Sequence, residues 1–254
     1  MDVVNEILQD ISCRDILCKD DKAIKEIIDE LVILVRELLC SVKTPRVEFI
    51  SESNGAEETI DLSSTVDDEC DEIAPLYGDN HDNKTSEEMH RQFKSFITYG
   101  FKFAISFGLI ATDCEIAQTR IGDRGGIAIL VELMSSFPEI PSFSKWACWA
   151  LTHLTVMHPP NKREFFEQRG IPVVITSLAK NATEPDLYQQ GLGLLFAILS
   201  PDPNTKLSLS KARNMALANG LVDVLHRAQR NFKDVQNVDQ LCRNILDFLI
   251  ADFS

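Results

Sequence analysis

The sequence has no Cys-x-x-Cys pair, no apolar run long enough to cross a bilayer, and no excess of basic residues. Each absence argues against a class of function. The seven cysteines, Cys13, Cys18, Cys40, Cys70, Cys114, Cys148 and Cys242, are odd in number and scattered. That speaks against a disulfide framework or a zinc knuckle and for reduced thiols. The longest greasy stretch, Phe101 to Ala111, is broken by Lys102 and too short for a span, so a buried helix accounts for it. The opening Met-Asp-Val-Val-Asn-Glu lacks the basic start and apolar core of a signal peptide. The expected setting is the cytoplasm or the nucleus, where the sequons at Asn83 and Asn181 are chance matches.

Catalytic signatures are missing as well. The five histidines, His81, His90, His153, His158 and His226, form no metal-ligand spacing with cysteines or carboxylates. Gly-x-Ser-x-Gly, His-Glu-x-x-His and the P-loop are all absent. Gly122-Asp123-Arg124-Gly125-Gly126 lacks a Lys-Ser/Thr ending, and reads as a turn between helices. No catalytic, cofactor-binding or metal-ligating residue is assigned, no cofactor is expected, and the chain reads as a non-enzyme.

What is present divides into three regions. Residues 1–45 hold ten acids and six bases, residues 46–90 fourteen and two, and residues 91–254 fifteen and seventeen. So −12 of the net −14 lies in the middle region. A near-neutral 91–254 gives no electrostatic case for direct nucleic-acid binding. In 1–45, Ile24, Ile27, Ile28, Leu31, Leu34, Val35, Leu38 and Leu39 recur at helical steps and predict a helix over 22–40, with a weaker one over 3–16. Its wide apolar stripe is expected to pack on this chain, the alternative being a partner helix. Residues 46–90, rich in acids, Ser, Asn, Gly and Pro, cannot bury enough surface to offset their ordering entropy and read as a disordered insertion.

From Arg91 the pattern is internally repeated. Gly126-Ile127-Ala128-Ile129-Leu130-Val131, Gly170-Ile171-Pro172-Val173-Val174-Ile175 and Gly220-Leu221-Val222-Asp223-Val224-Leu225 align. Ile121, Phe165 or Met215 stands five residues before each glycine, and a second apolar helix follows at Ala150, Leu194 and Asn244. In that helix Leu151, Leu195 and Ile245 coincide, then Leu154, Ile198 and Phe248. The glycines are spaced by 44 and then 50 residues, the longer step falling at Pro201–Pro203. Such units bury their faces only by stacking on neighbours.

These residues resemble the armadillo repeat: a short helix, a turn with glycine, a second helix, and a longer third helix, here "KWACWALTHLT". The resemblance covers about 91–254. It implies an all-α fold, an armadillo-like right-handed superhelical solenoid of three to four repeats. The helix at 93–112 then reads as the third helix of an earlier unit, and the N-terminal helices as its first two. Members of the family that hold extended peptides carry a Trp and, four residues on, an Asn on each third helix. Here Trp149 is followed by His153, and the pairs expected to correspond are Gly193 with Ala197 and Arg243 with Asp247, so the Asn ladder is missing. The resemblance implies a protein partner, with Trp149, His153, Arg163 and Arg243 as candidate contacts and Trp146, Tyr188 and Arg169 as further groove candidates. An alternative is a constitutive subunit of a larger complex, docked through the apolar helix 22–40.

Thr59, Ile60, Asp61, Leu62, Ser63 and Ser64, followed by Asp67-Asp68-Glu69, look like a SUMO-interacting motif. The logic is strand addition to a sheet edge, with acids meeting its basic rim. Ser63, Ser64 and Thr65 also precede acids in the manner of acid-directed kinase sites. The expected partners are therefore proteins, with a SUMO contact through Ile60–Ser64, and neither nucleic acid nor membrane.

Overall fold

The computed structural model describes residues 28–29, 32–33, 100–200 and 209–250. The expected helix 3–16, the acidic segment 46–90 and the Pro201–Pro203 loop lie outside the described residues. So does the helix expected over 22–40, apart from four helical positions. Every regular element among the described residues is α-helical.

A helical run over 100–111 (α1) is followed by three triplets. The first is α2 Glu115–Asp123, α3 Gly126–Ser136 and α4 Pro141–Thr155. The second is α5 Pro159–Glu167, α6 Gly170–Lys180 and α7 Pro185–Leu199. The third is α8 Leu209–Ala218, α9 Leu221–Asn231 and α10 Gln236–Ile250. The second helices are all 11 residues long and the third helices all 15, so the same local code is used three times. Proline opens α4, α5 and α7, where its missing N–H costs nothing and its fixed φ suits the first turn.

Counterpart helices of consecutive triplets touch. α7 packs against both α4 and α10, and α6 against both α3 and α9. Leu151, Leu154, Leu192, Leu194, Leu195, Ile198, Leu199 and Ile245 are all fully buried, so the third helices carry much of a continuous core. Ile28 and Val32, one helical turn apart, belong to that core, and Asp29 pairs with Arg124 at 2.8 Å.

The backbone fixes the repeat register. Gly125, Arg169 and Gly220 precede the second helices in the left-handed conformation, at φ 80°, 59° and 84°. They stand 44 and then 51 residues apart. The third unit therefore falls one residue later than the alignment on Gly126, Gly170 and Gly220 expects: Gly220 corresponds to Gly125, and Leu221 to Gly126 and Gly170. Side-chain volume shows why. A Cβ on Gly126 would overlap the Ile121 side chain and one on Gly170 the Phe165 ring. In the third triplet the sizes are exchanged: Ala216 occupies the position of Ile121 and Phe165, and Leu221 that of the glycines, both fully buried. Met215, the residue expected there, is only half-buried. The register shift also makes Leu246 and Leu249 the counterparts of Leu151 and Leu154, in place of Ile245 and Phe248.

The size exchange predicts an energetic coupling. Phe165→Ala leaves a cavity worth about 3–5 kcal/mol, and Gly170→Leu overpacks by about 1–3 kcal/mol. The double variant reproduces the pair at Ala216 and Leu221, so its urea-unfolding loss is expected to be smaller than the sum of the singles by more than about 1 kcal/mol. Additive losses would contradict the exchange.

Arg169 generates a second prediction. A side chain at positive φ costs about 1–2 kcal/mol, partly offset by the chain entropy that glycine adds to the unfolded state. Arg169→Gly is expected to stabilise by about 0.5–1 kcal/mol, read as a rise in Tm.

Candidate functional site

The third-helix face is built from two recurring positions, spaced by the 44- and 51-residue steps. The first holds Ile105, Trp149, Gly193 and Asn244; the second holds Leu109, His153, Ala197 and Phe248. Apart from Ile105, which is buried, all are half-buried. The equivalence extends back to α1 because Asp113 and Met157, 44 residues apart, both take positive φ in the turns that leave α1 and α4.

Trp149 and His153 are brought together one turn apart, with ring centroids 4.7 Å apart. Trp149 lies on Gly108 of the preceding helix, where any Cβ would overlap its six-membered ring. The Thr112 hydroxyl donates to the Gly108 carbonyl at 2.7 Å, so its oxygen is left to accept from His153 Nδ1 at 3.2 Å. The two residues thus pin α4 onto α1 while keeping part of their surface in solvent. Phe248 does the same further along, stacking on Phe196 of α7 with centroids 5.3 Å apart. Between them the face is low. An added Cβ on Gly193 meets nothing within 4 Å, and its neighbour one turn on is only Ala197.

Arg163 and Arg243 lie elsewhere. Arg163 is exposed on α5, in the row of first helices. Arg243 corresponds to Cys148 and Leu192, not to Trp149; those two are fully buried, whereas Arg243 is exposed and pairs with Asp239 of its own helix at 2.6 Å. The pair expected at Arg243 and Asp247 is Asn244 and Phe248, so no Asn occupies the second position there either. Tyr188, a groove candidate, is fully buried, donates to the Leu178 carbonyl at 2.8 Å and packs on Phe232. Trp146 is buried beneath Lys145, whose ammonium sits 5.0 Å from the ring centroid. Arg169 is exposed at its turn. Ile60, Asp61, Leu62, Ser63 and Ser64 lie outside the described residues.

A polar junction joins the first and second triplets, and sequence reasoning missed it. Gln118 donates to the carbonyls of Ala111 and His153, at the ends of α1 and α4. Asn161 donates to Gln118 and Leu154 carbonyls, both at 2.8 Å. At the position of Gln118 the second triplet has Lys162, which reaches the Ser200 carbonyl at 3.4 Å, and the third has Arg213. A long polar residue recurring at one register position of the first helices, Gln118, Lys162 and Arg213, was the available signal. His158 completes the junction at 5% exposure. Its Nδ1 accepts the Asn161 N–H at 3.3 Å as an N-cap, which leaves the proton on Nε2 to meet Thr119 Oγ1 at 3.0 Å. Asn181, in a sequon, is a junction residue too: it donates to the Pro138 and Ser177 carbonyls.

Cys148 and Cys242 are buried thiols, the first pushed far up and the second up to about 11 by desolvation, which keeps both protonated and unreactive. Among the described residues no group of three or more His, Cys, Asp or Glu is placed to hold a metal, and no helix is long and apolar enough to cross a membrane. Comparison with protein-family models, with curated proteins and with solved structures finds no match.

His158 makes the junction acid-sensitive. Burial lowers its pKa below the ordinary 6.5, against the opposing pull of Glu115 and Asp123. The folded chain therefore binds fewer protons at this site than the unfolded chain. Its contribution is whole above pH 6.5 and is lost as pH falls through that value toward the folded pKa. His158→Ala is expected to cost about 1 kcal/mol at pH 7.5, and His158→Asn, which keeps a capping acceptor, to flatten the loss of stability as pH falls below 6.5. Denaturant melts across that range check both.

Proposed function

We propose that the chain is a non-catalytic scaffold of the armadillo type, a right-handed superhelical array of three to four repeats that binds a protein partner across its third-helix face. The observation that supports this most is the threefold recurrence of a left-handed turn, an 11-residue helix and a 15-residue helix, with counterpart helices in contact. A fourth repeat is supported by α1, which relates to α4 by the same 44-residue step, and by the helical residues 28, 29, 32 and 33, of which Asp29 meets Arg124. In that reading 46–90 is an insertion between second and third helices and a second recruitment site, with Ile60–Ser64 as its SUMO-type motif.

The third-helix face suits a partner that supplies apolar side chains. Leu109, His153, Ala197 and Phe248 offer no row of amides to hold an extended backbone, whereas Trp149 and Phe248 border a low floor at Gly193 and Ala197. Half-exposed aromatic residues are the usual anchors of protein interfaces. The alternative of a subunit docked through helix 22–40 loses part of its proposed docking face, because Ile28 and Val32 are buried on this chain. A cytoplasmic or nuclear setting remains part of the proposal.

Gly193→Lys tests the face without damaging the fold. Its added atoms enter open space, and replacing a mid-helix glycine favours the helix by about 0.5–1 kcal/mol. The variant is expected to melt no lower than the parent and to lose its partner in affinity capture with cross-linking. An unchanged set of captured proteins would count against the third-helix face.

A further inference from the structure

One turn position carries an acid in the first and third triplets and a hydroxyl in the second. Glu139, Thr183 and Asp234 each stand two residues before a third helix, at the 44- and 51-residue steps. In the first triplet the acid is engaged: Glu139 pairs with Lys180 on the second helix of the following triplet. This place also stands two residues before the N-terminal, positive end of a 15-residue helix. Thr183 is exposed, with its hydroxyl 3.3 Å from the Glu184 carboxylate. The third triplet lies alongside, because the Asn231 side chain donates to the Ala182 carbonyl at 2.8 Å. Two exposed cations, Arg230 and Lys233, flank Asn231. Thr183 is followed by Glu184, Pro185 and Asp186, which puts acids one and three residues beyond the hydroxyl. A kinase cleft lined with basic side chains selects that pattern by charge-assisted pairing.

We propose that Thr183 is a phosphoacceptor for an acid-directed protein kinase, its phosphate taking the place that Glu139 and Asp234 hold in the other triplets. The Thr183 hydroxyl oxygen attacks the γ-phosphorus of ATP, the bond to the bridging oxygen breaks and ADP leaves. The hydroxyl proton passes to the kinase base. Glu184 and Asp186 repel the new charge, but both are solvent-screened neighbours. The end of α7 and the cations beside Asn231 attract it, so the modification tightens the seam between the second and third triplets.

The full chain is incubated with ATP and an acid-directed kinase, with a reference acidic peptide in the same tube, and phosphate is located by mass spectrometry. Phosphate on Thr183, absent from Thr183→Val, is the expected result; complete modification of the reference peptide with Thr183 untouched overturns the proposal. The placement is read separately from melting. Thr183→Glu is expected to raise Tm by about 1–3 °C over Thr183→Val. An equal or lower Tm overturns the assignment of the phosphate to the acid position.

Discussion

Helix α7 is held on two sides, and the rest of the described structure depends on that. Leu187, Leu192, Leu194, Leu195, Ile198 and Leu199 are buried around its circumference, with α4 on one side and α10 on the other. A single triplet leaves the faces of its third helix uncovered, so its folding free energy resides largely in contacts with neighbours. Gly191 lets the Leu178 side chain of α6 approach closely, and Gly193 leaves the opposite, solvent-facing surface low. One helix therefore carries both the inter-triplet core and the floor of the candidate binding face.

The two ends of this helix row differ in a way that one residue position shows. Cys148 and Leu192 are fully buried; Arg243, at the same place on α10, is exposed within a stripe of Gln236, Gln240 and Asp247. At the other end α1 is buried almost throughout, and Ile28 and Val32 join the same core. The junctions between triplets are secured by polar side chains that satisfy helix-end carbonyls. Gln118 and Asn161 act between the first two triplets, and Asn231 and Arg227, which donate to Ala182 and Ala179, act between the last two.

Much of this was legible in the sequence because helical periodicity and turn glycines are local signals. The all-helical class comes from such signals, while the order of short, middle and long helices and the pairing of Trp149 with His153 come from the armadillo resemblance that they carry. What was not legible depends on contacts across the chain. The third triplet reads one residue early because Gly220 looks like Gly126 and Gly170. Its true counterpart, Gly125, is revealed only by backbone conformation and by the exchange of Phe165 and Gly170 for Ala216 and Leu221. The same shift moved Arg243 off the Trp149 position. Tyr188 reads as a groove residue because aromatic side chains dominate interaction hot spots, but the fold buries it and its hydroxyl donates to the Leu178 carbonyl. The junction of Gln118, His158 and Asn161 was missed because Gln118 and Asn161 meet backbone carbonyls, which leave no trace in composition, and His158 meets Thr119, 39 residues away in the chain.

If mutual covering of the third helices holds the fold, protection from hydrogen exchange must follow their order in the row. Exchange of the full chain, followed by mass spectrometry, measures this directly. The backbone amides of α7, covered on both sides, are predicted to exchange last, later than those of α10 and of the first helix α8 of its triplet. Exchange of α7 as fast as α8 would mean that the triplets do not depend on one another, and would contradict the central claim.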